Sequence, residues 1–240
     1  MATKVLLLGT SHRDTDGERK IHTALQKFDP SHILVEGSKE SHAVNLAARE
    51  AACGVITTNN VSDEIRGLLL FEINSLLQDI SAVEKYGMAH PRIKVDFLND
   101  EDSKDIGIVV ATMTAATEST LKAMQNLNRA NQRELVKTQL AEIKRDFSNV
   151  KADWNKQGKK PNEAHFVRKL RNGNDPEKIN QRDERQWATL EALVESTPTA
   201  RIATVTGAAH ILRTTNDVSL FDRIVASGKF DVTRDMLCFK

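Results

Sequence analysis

Two apolar segments, each followed by a glycine and then a histidine, constrain the fold more than any other feature of the sequence. The first is KVLLLGTSH near the start of the chain, and the second is RIATVTGAAH near its end. A continuous aliphatic run that stops at a glycine is typical of a strand buried on both faces, as the strands of parallel sheets are. The two segments therefore predict strands at about residues 4–8 and 201–206, in a sheet covered by helices on both sides.

The chain between and after these strands alternates between helical and extended patterns. Ile21, Leu25 and Phe28 recur at helical spacing, and a strand at residues 32–36 follows the turn at Asp29-Pro30. This alternation predicts an α/β fold with a central, mostly parallel mixed sheet and flanking helices. Further helices are predicted at residues 41–54, 62–86, 181–196 and 219–226, and further strands at 93–99 and 230–239.

The middle of the chain departs from this alternation. From about residue 112 to 172 it is polar and helix-favouring, which predicts a helical excursion that caps the carboxyl ends of the strands. A solvated helical pair without a chemical role is the alternative. Because 240 residues are enough for one large α/β domain, we expect residues 1–240 to form a single domain.

Composition excludes several classes of protein. The formal net charge of +1 gives no overall attraction to nucleic acid or anionic lipid, and the basic cluster at residues 156–171 contains few aromatic residues. Two cysteines without paired spacing favour a reducing compartment. The short apolar run at the N-terminus predicts no signal peptide, and no run approaches the ~18 apolar residues of a membrane span. We expect a soluble cytoplasmic protein whose oligomeric state the sequence leaves open.

Three side chains should meet at one edge of the sheet. His12 lies three residues after Gly9, His210 lies three residues after Gly207, and Glu36 closes the predicted second strand. The carboxyl ends of parallel strands share an edge, and ligands bind there in α/β proteins. Each glycine lets the backbone turn off its strand and approach a neighbour closely.

Two imidazoles and a carboxylate suit two kinds of chemistry. With His12, Glu36 and His210 as ligands, a divalent metal would keep open positions and lower the pKa of a bound water. Without a metal, either histidine could act as a general base on water, with Glu36 fixing its tautomer and an arginine stabilising the oxyanion. A single histidine after a strand is more commonly a turn or packing residue, and it is the pair in matching contexts that indicates a site.

The order of four motifs resembles the TraB/GumN/Tiki superfamily, which is related to the erythromycin esterase-like and ChaN-like proteins. The motifs are LLLGTSH, ILVEG, RDERQWATLEAL and IATVTGAAHIL, and together they extend over almost the whole chain. Proteins of this superfamily share the two Gly-x-x-His segments, a glutamate that ends the second strand, and an Arg-Asp or Arg-Asn pair before a helix.

The resemblance assigns roles that spacing alone does not. Arg182, which otherwise reads as part of an exposed charge run, is implied to polarise a carbonyl or to hold Glu36, while Asp183 and Trp187 place the helix. The site residues it implies are His12, Glu36, Arg182 and His210, with Gly9 and Gly207 shaping the two turns.

The branches of the superfamily imply different activities. The Tiki branch implies metal-dependent peptide hydrolysis, for which we expect manganese, cobalt or zinc, and the esterase branch implies histidine-based hydrolysis. We therefore expect a hydrolase, metal-dependent and acting on a peptide, a protein or a small ester. The TraB branch implies the alternative, a non-catalytic regulator or a peptide- or protein-binding member of the same family.

Overall fold

The computed structural model describes residues 3–11, 14–75, 77–98, 106–156, 176–211 and 218–237. The chain separates into two compact units, described here one at a time. The sheet unit comprises Met1–Ser38, Gln78–Glu101 and Phe147–Lys240, and the helical unit comprises Lys39–Leu77 and Asp102–Asp146. The expectation of a single domain stays a prediction.

The sheet unit contains a five-stranded sheet in the described residues, which confirms the α/β class. Every strand pairs in parallel with its neighbours, in the order β3-β2-β4-β1-β5. The two apolar segments are adjacent, because residues 4–10 of β1 pair with residues 201–207 of β4. The strands are β1 (Thr3–Thr10), β2 (His32–Val35), β3 (Lys94–Phe97), β4 (Arg201–Gly207) and β5 (Phe230–Met236).

Helices connect the described strands. The start of the last helix is fixed by a capping box, in which Ser219 Oγ accepts from the Asp222 amide at 3.2 Å and the Asp222 carboxylate accepts in return from the Ser219 amide. In chain order the helices are α1 (Gly17–Phe28), α2 (Lys39–Thr58), α3 (Asp63–Ser75), α4 (Gln78–Ala89), α5 (Ile106–Gln125), α6 (Arg129–Lys156), α7 (Pro176–Ser196), α8 (Ala208–Ile211) and α9 (Leu220–Ser227).

Both faces of the sheet are buried, which explains the continuous apolar runs. On β1, Leu6 and Leu8 pack on the side of α1 and α4, whereas Val5 and Leu7 pack on the side of α7 and α9. Each fully buried aliphatic side chain of this kind stabilises the fold by about 1.5–3 kcal/mol. In β2 the residues Ile33, Leu34 and Val35 are all apolar and buried, and the first polar residue after them is Glu36.

The helical unit packs α2 against α3 and α5 around its own small core. α2 continues through Gly54, where the sequence predicts a stop, because Ala52 and Ile56 on either side of it are buried in this core. Within the predicted helical excursion, residues 112–125 and 129–156 are helical, and 157–172 lie outside the described residues. Its role as a cap stays a prediction.

Residues 62–86, expected as one helix, form two. The first helix ends at Ser75, whose hydroxyl donates to the Glu72 carbonyl at 2.7 Å, and the Leu77 amide donates to the Asn74 carbonyl at 3.2 Å. A serine hydroxyl that bonds to a carbonyl in the preceding turn competes with the helical hydrogen bonds, so the apolar periodicity continues across a break that it does not reveal. No helix in the described part of the chain is long and apolar enough to cross a membrane.

Candidate functional site

Glu36 lies at the point of the sheet where connections diverge. It directly follows β2, and its amide donates to the Val205 carbonyl of β4 at 2.9 Å. β2 leads to β3 at one edge of the sheet, whereas β4 leads to β5 at the other edge. Connections that leave two neighbouring strands in opposite directions open a crevice beyond their carboxyl ends, which is where α/β proteins bind ligands.

The Glu36 carboxylate is held from two sides. Its Oε2 accepts hydrogen bonds from the Thr206 hydroxyl at 2.8 Å and from the Gly207 amide, while its Oε1 accepts from Arg182 Nη2 at 2.5 Å. The side chain is 15% exposed. A Cβ at residue 207 would lie 3.2 Å from Oε2, so glycine lets the carboxylate approach the backbone. Charge-assisted bonds of this kind are the strong ones in proteins, and they fix the position of the carboxylate.

His210 faces Glu36 from the short helix α8. Its Nδ1 lies 2.6 Å from Asp183 Oδ1, and its Nε2 lies 3.4 Å from Glu36 Oε1. Asp183 is fully buried on α7, next to Arg182 in sequence. The fold thus brings together four residues from β2, α7 and the end of β4. We call Arg182, Asp183, Glu36 and His210 the four-residue cluster.

The cluster holds its histidine in the charged form at neutral pH. Burial lowers the pKa of His210, but the carboxylates of Glu36 and Asp183 outweigh burial and raise that pKa from 6.5 to about 9. The imidazolium and the Arg182 guanidinium then balance the two carboxylates. Buried charges persist only when they are paired and hydrogen-bonded in this way.

Sequence reasoning assigned Asp183 to helix placement and did not foresee its contact with the imidazole. The signal was present: Asp183 lies one turn before Trp187 and two turns before Leu190, on the face of α7 that packs on the sheet. A carboxylate at a buried position of a helix needs a hydrogen-bonding partner, and a histidine is a common one.

Of the remaining predicted site residues, the structure describes the two glycines, whereas His12 lies outside the described residues. Gly9 lies inside β1, where a Cβ would come within 2.9 Å of both Ile211 Cγ1 and Met236 Sδ. Glycine is therefore required at residues 9 and 207 because neighbouring side chains approach the backbone closely there, and not because the backbone is left-handed. The left-handed glycine of this region is Gly37, with φ 108°, directly after Glu36.

The donor atoms can be compared with those of a metal centre. No group of three or more His, Cys, Asp or Glu side chains in the described ranges is arranged to hold a metal ion. Two of the three predicted ligands are described, and their donor atoms lie 3.4 Å apart. Two ligands of one tetrahedral ion are also about 3.4 Å apart when each is about 2.1 Å from the metal. The separation of the pair equals that distance, and Asp183 lies behind the imidazole as the hydrogen-bonded partner that metal-binding histidines usually have. In this structure Oε1 of Glu36 accepts the bond from Arg182.

No family model, curated protein or solved structure matches the chain. The resemblance to the TraB/GumN/Tiki superfamily therefore stays a prediction that depends on four short motifs. What the cluster can do is judged from its own geometry.

Proposed function

We propose that the chain is a metal-dependent hydrolase of amide or ester bonds, with its site at the carboxyl ends of β2 and β4. The observation that carries the proposal is the orientation of His210, whose Nδ1 is held by a buried carboxylate while Nε2 faces Glu36 Oε1 at 3.4 Å. A histidine fixed by one carboxylate and aimed at a second reactive group is the arrangement that general bases and metal ligands share.

Each member of the cluster has a distinct task. Asp183 fixes the tautomer and the direction of the imidazole. Nε2 of His210 and the Glu36 carboxylate would hold the metal, together with His12 from the sequence motif. A divalent ion there would lower the pKa of a bound water and supply a nucleophile near neutral pH. Metal binding at Nε2 requires loss of its proton, so the high pKa makes metal affinity rise with pH.

Arg182 is the member that can reach a substrate. Its side chain is 28% exposed, against 15% for Glu36 and 5% for His210. Glu36 keeps its bonds to Thr206 and Gly207 when the guanidinium turns toward a carbonyl oxygen. An arginine in that position stabilises the negative charge that develops on the oxygen during hydrolysis.

The resemblance to the TraB/GumN/Tiki superfamily implies a peptide, a protein or a small ester as the substrate. The net charge of +1 provides no attraction to nucleic acid. The two cysteines lack paired spacing, which supports a cytoplasmic location.

The test is a hydrolysis screen with matched variants. Chelator-treated protein is reloaded with manganese, cobalt or zinc and assayed on chromogenic esters and fluorogenic peptides. We expect turnover by the wild type and by Glu18→Gln, an exposed carboxylate paired with Lys85. Glu36→Gln and His210→Gln should lose about a hundredfold or more of that turnover. Folded wild-type protein without turnover on any substrate, or equal turnover by Glu36→Gln, would instead favour the non-catalytic binding protein.

A further inference from the structure

Helix α8, which carries His210, is too short to hold its own orientation. It spans four residues, Ala208–Ile211, which is about one helical turn. A segment of this length is not stable as a helix by itself. Whatever fixes its carboxyl end also fixes the direction in which the imidazole points.

The geometry points to Arg234 of β5 as the positioning residue that fixes this end of α8. Arg234 Nη1 donates to the carbonyl oxygen of Ile211 at 3.0 Å. Ile211 is the residue directly after His210, and a cation at the carboxyl end of a helix is favoured by the helix dipole. The inference rests on the proposed role of His210, since a positioned imidazole matters only where it acts.

The guanidinium is itself held in place by the fold. Its central carbon lies 4.1 Å from the centre of the Phe221 ring, a cation–π contact. Phe221 belongs to α9 and packs against the core on the α7 side of the sheet. Arg234 thus connects two regular elements, β5 and α9, to the end of α8.

A second contact closes the same end of α8 from the sheet. The Ile211 side chain is buried and lies over Gly9 of β1, where no Cβ is present. Ile211 is thus held at two points, its carbonyl by Arg234 and its side chain by β1. Nε2 of His210 is consequently kept 3.4 Å from Glu36 Oε1. Residues that orient a reactive group in this way typically change activity or metal affinity by about 10–100-fold when replaced.

The experiment uses the Nδ1 proton of His210 as a reporter of its position, so it needs neither substrate nor metal. The proton is observed by NMR in protein with ¹⁵N-labelled histidine and is assigned by its absence from His210→Gln. Arg234→Met keeps an apolar stem over Phe221 and removes the donor. Arg234→Lys keeps the charge without the planar fork. Arg19→Met, at an exposed arginine of α1, is the matched control.

We expect the exchange of this proton with water to be about tenfold faster in Arg234→Met, intermediate in Arg234→Lys and unchanged in Arg19→Met. A wild-type exchange rate in folded Arg234→Met overturns the inference. If Arg234→Met does not fold, the test depends on Arg234→Lys. A rate of Nδ1 proton exchange in Arg234→Lys equal to that of the wild type then overturns the inference. Neither result depends on turnover, so an inactive wild type would refute the proposed function and leave this test intact. Once a substrate is found, Arg234→Lys should lower kcat and leave KM nearly unchanged.

Discussion

Raising the pH through the mildly alkaline range should remove a large part of the stability that His210 contributes. Burial lowers the pKa of His210, but the facing carboxylates raise it from 6.5 to about 9 in the folded protein. A group whose pKa is raised by folding contributes stability that is fully present below the unfolded pKa and is lost as the pH rises through the folded pKa. At 1.36 kcal/mol for each pH unit, this pKa difference corresponds to about 3 kcal/mol.

The measurement is the free energy of unfolding in urea from about pH 6 to about pH 10, for the wild type and His210→Gln. Groups that titrate in both proteins cancel in the difference between the two curves. We expect the advantage of the wild type to fall by about 3 kcal/mol across this range, with most of the loss between about pH 6.5 and pH 9.5. His90→Gln, at an exposed histidine stacked on Tyr86, keeps His210 and should follow the wild-type curve.

A second variant separates the two carboxylates. Asp183→Asn keeps the shape of the side chain and removes the charge beside Nδ1, so the decline should be smaller and should end at a lower pH than in the wild type. If the difference between wild type and His210→Gln does not change with pH, the imidazole is not held in the charged form by Glu36 and Asp183. That result would refute the electrostatic account of the cluster.

Two matched pairs test the packing around the site. The buried Thr204 hydroxyl has no hydrogen-bond partner among the described residues, so Thr204→Val should stabilise the fold by about 1 kcal/mol in urea unfolding. Thr206→Val, two positions along β4, removes a donor to Glu36 and should destabilise the fold by about 1–3 kcal/mol. If Thr204→Val were the less stable of these two variants, the assigned hydrogen bonds would be contradicted. Gly9→Ala should cost about 1–3 kcal/mol by overpacking. Gly54→Ala, with no atom within 4 Å of the added Cβ, should stabilise helix α2 by up to about 1 kcal/mol in the same urea unfolding experiments.

The strands could be predicted because burial on both faces leaves a plain pattern. Only a parallel strand with helices on either side places Val5 and Leu7 in one core and Leu6 and Leu8 in another. The break after Ser75 could not be predicted, because apolar periodicity continues across it and the hydrogen bonds that end the helix are local. The order in which strands pair depends on contacts between residues that are far apart in sequence. The adjacency of β1 and β4 therefore could not be predicted from the apolar pattern either.

The site was partly predictable for the same kind of reason. Glu36 and His210 each follow a strand, and parallel strands end at one edge, so their position at the same edge follows from topology. Their contact depends in addition on the pairing of β2 with β4. Which residue Arg182 contacts depends on how α7 is rotated about its axis. The run of charged residues on either side of Arg182 does not reveal that rotation. The resemblance to a known superfamily suggested the contact of Arg182 with Glu36. The contact of Asp183 with His210 became evident only from the packing of α7 on the sheet.

The central claim is that Glu36 and His210 act together on one bound ion. Calorimetric titration of chelator-treated protein with zinc, manganese and cobalt, beside Glu36→Gln and His210→Gln, tests it most directly. The account predicts one tight metal site per chain in the wild type, with an affinity that rises with pH. The affinity of both variants for the metal should be lower by at least about tenfold. Binding of equal affinity in the wild type and both variants, or no binding by the folded wild type, would contradict it.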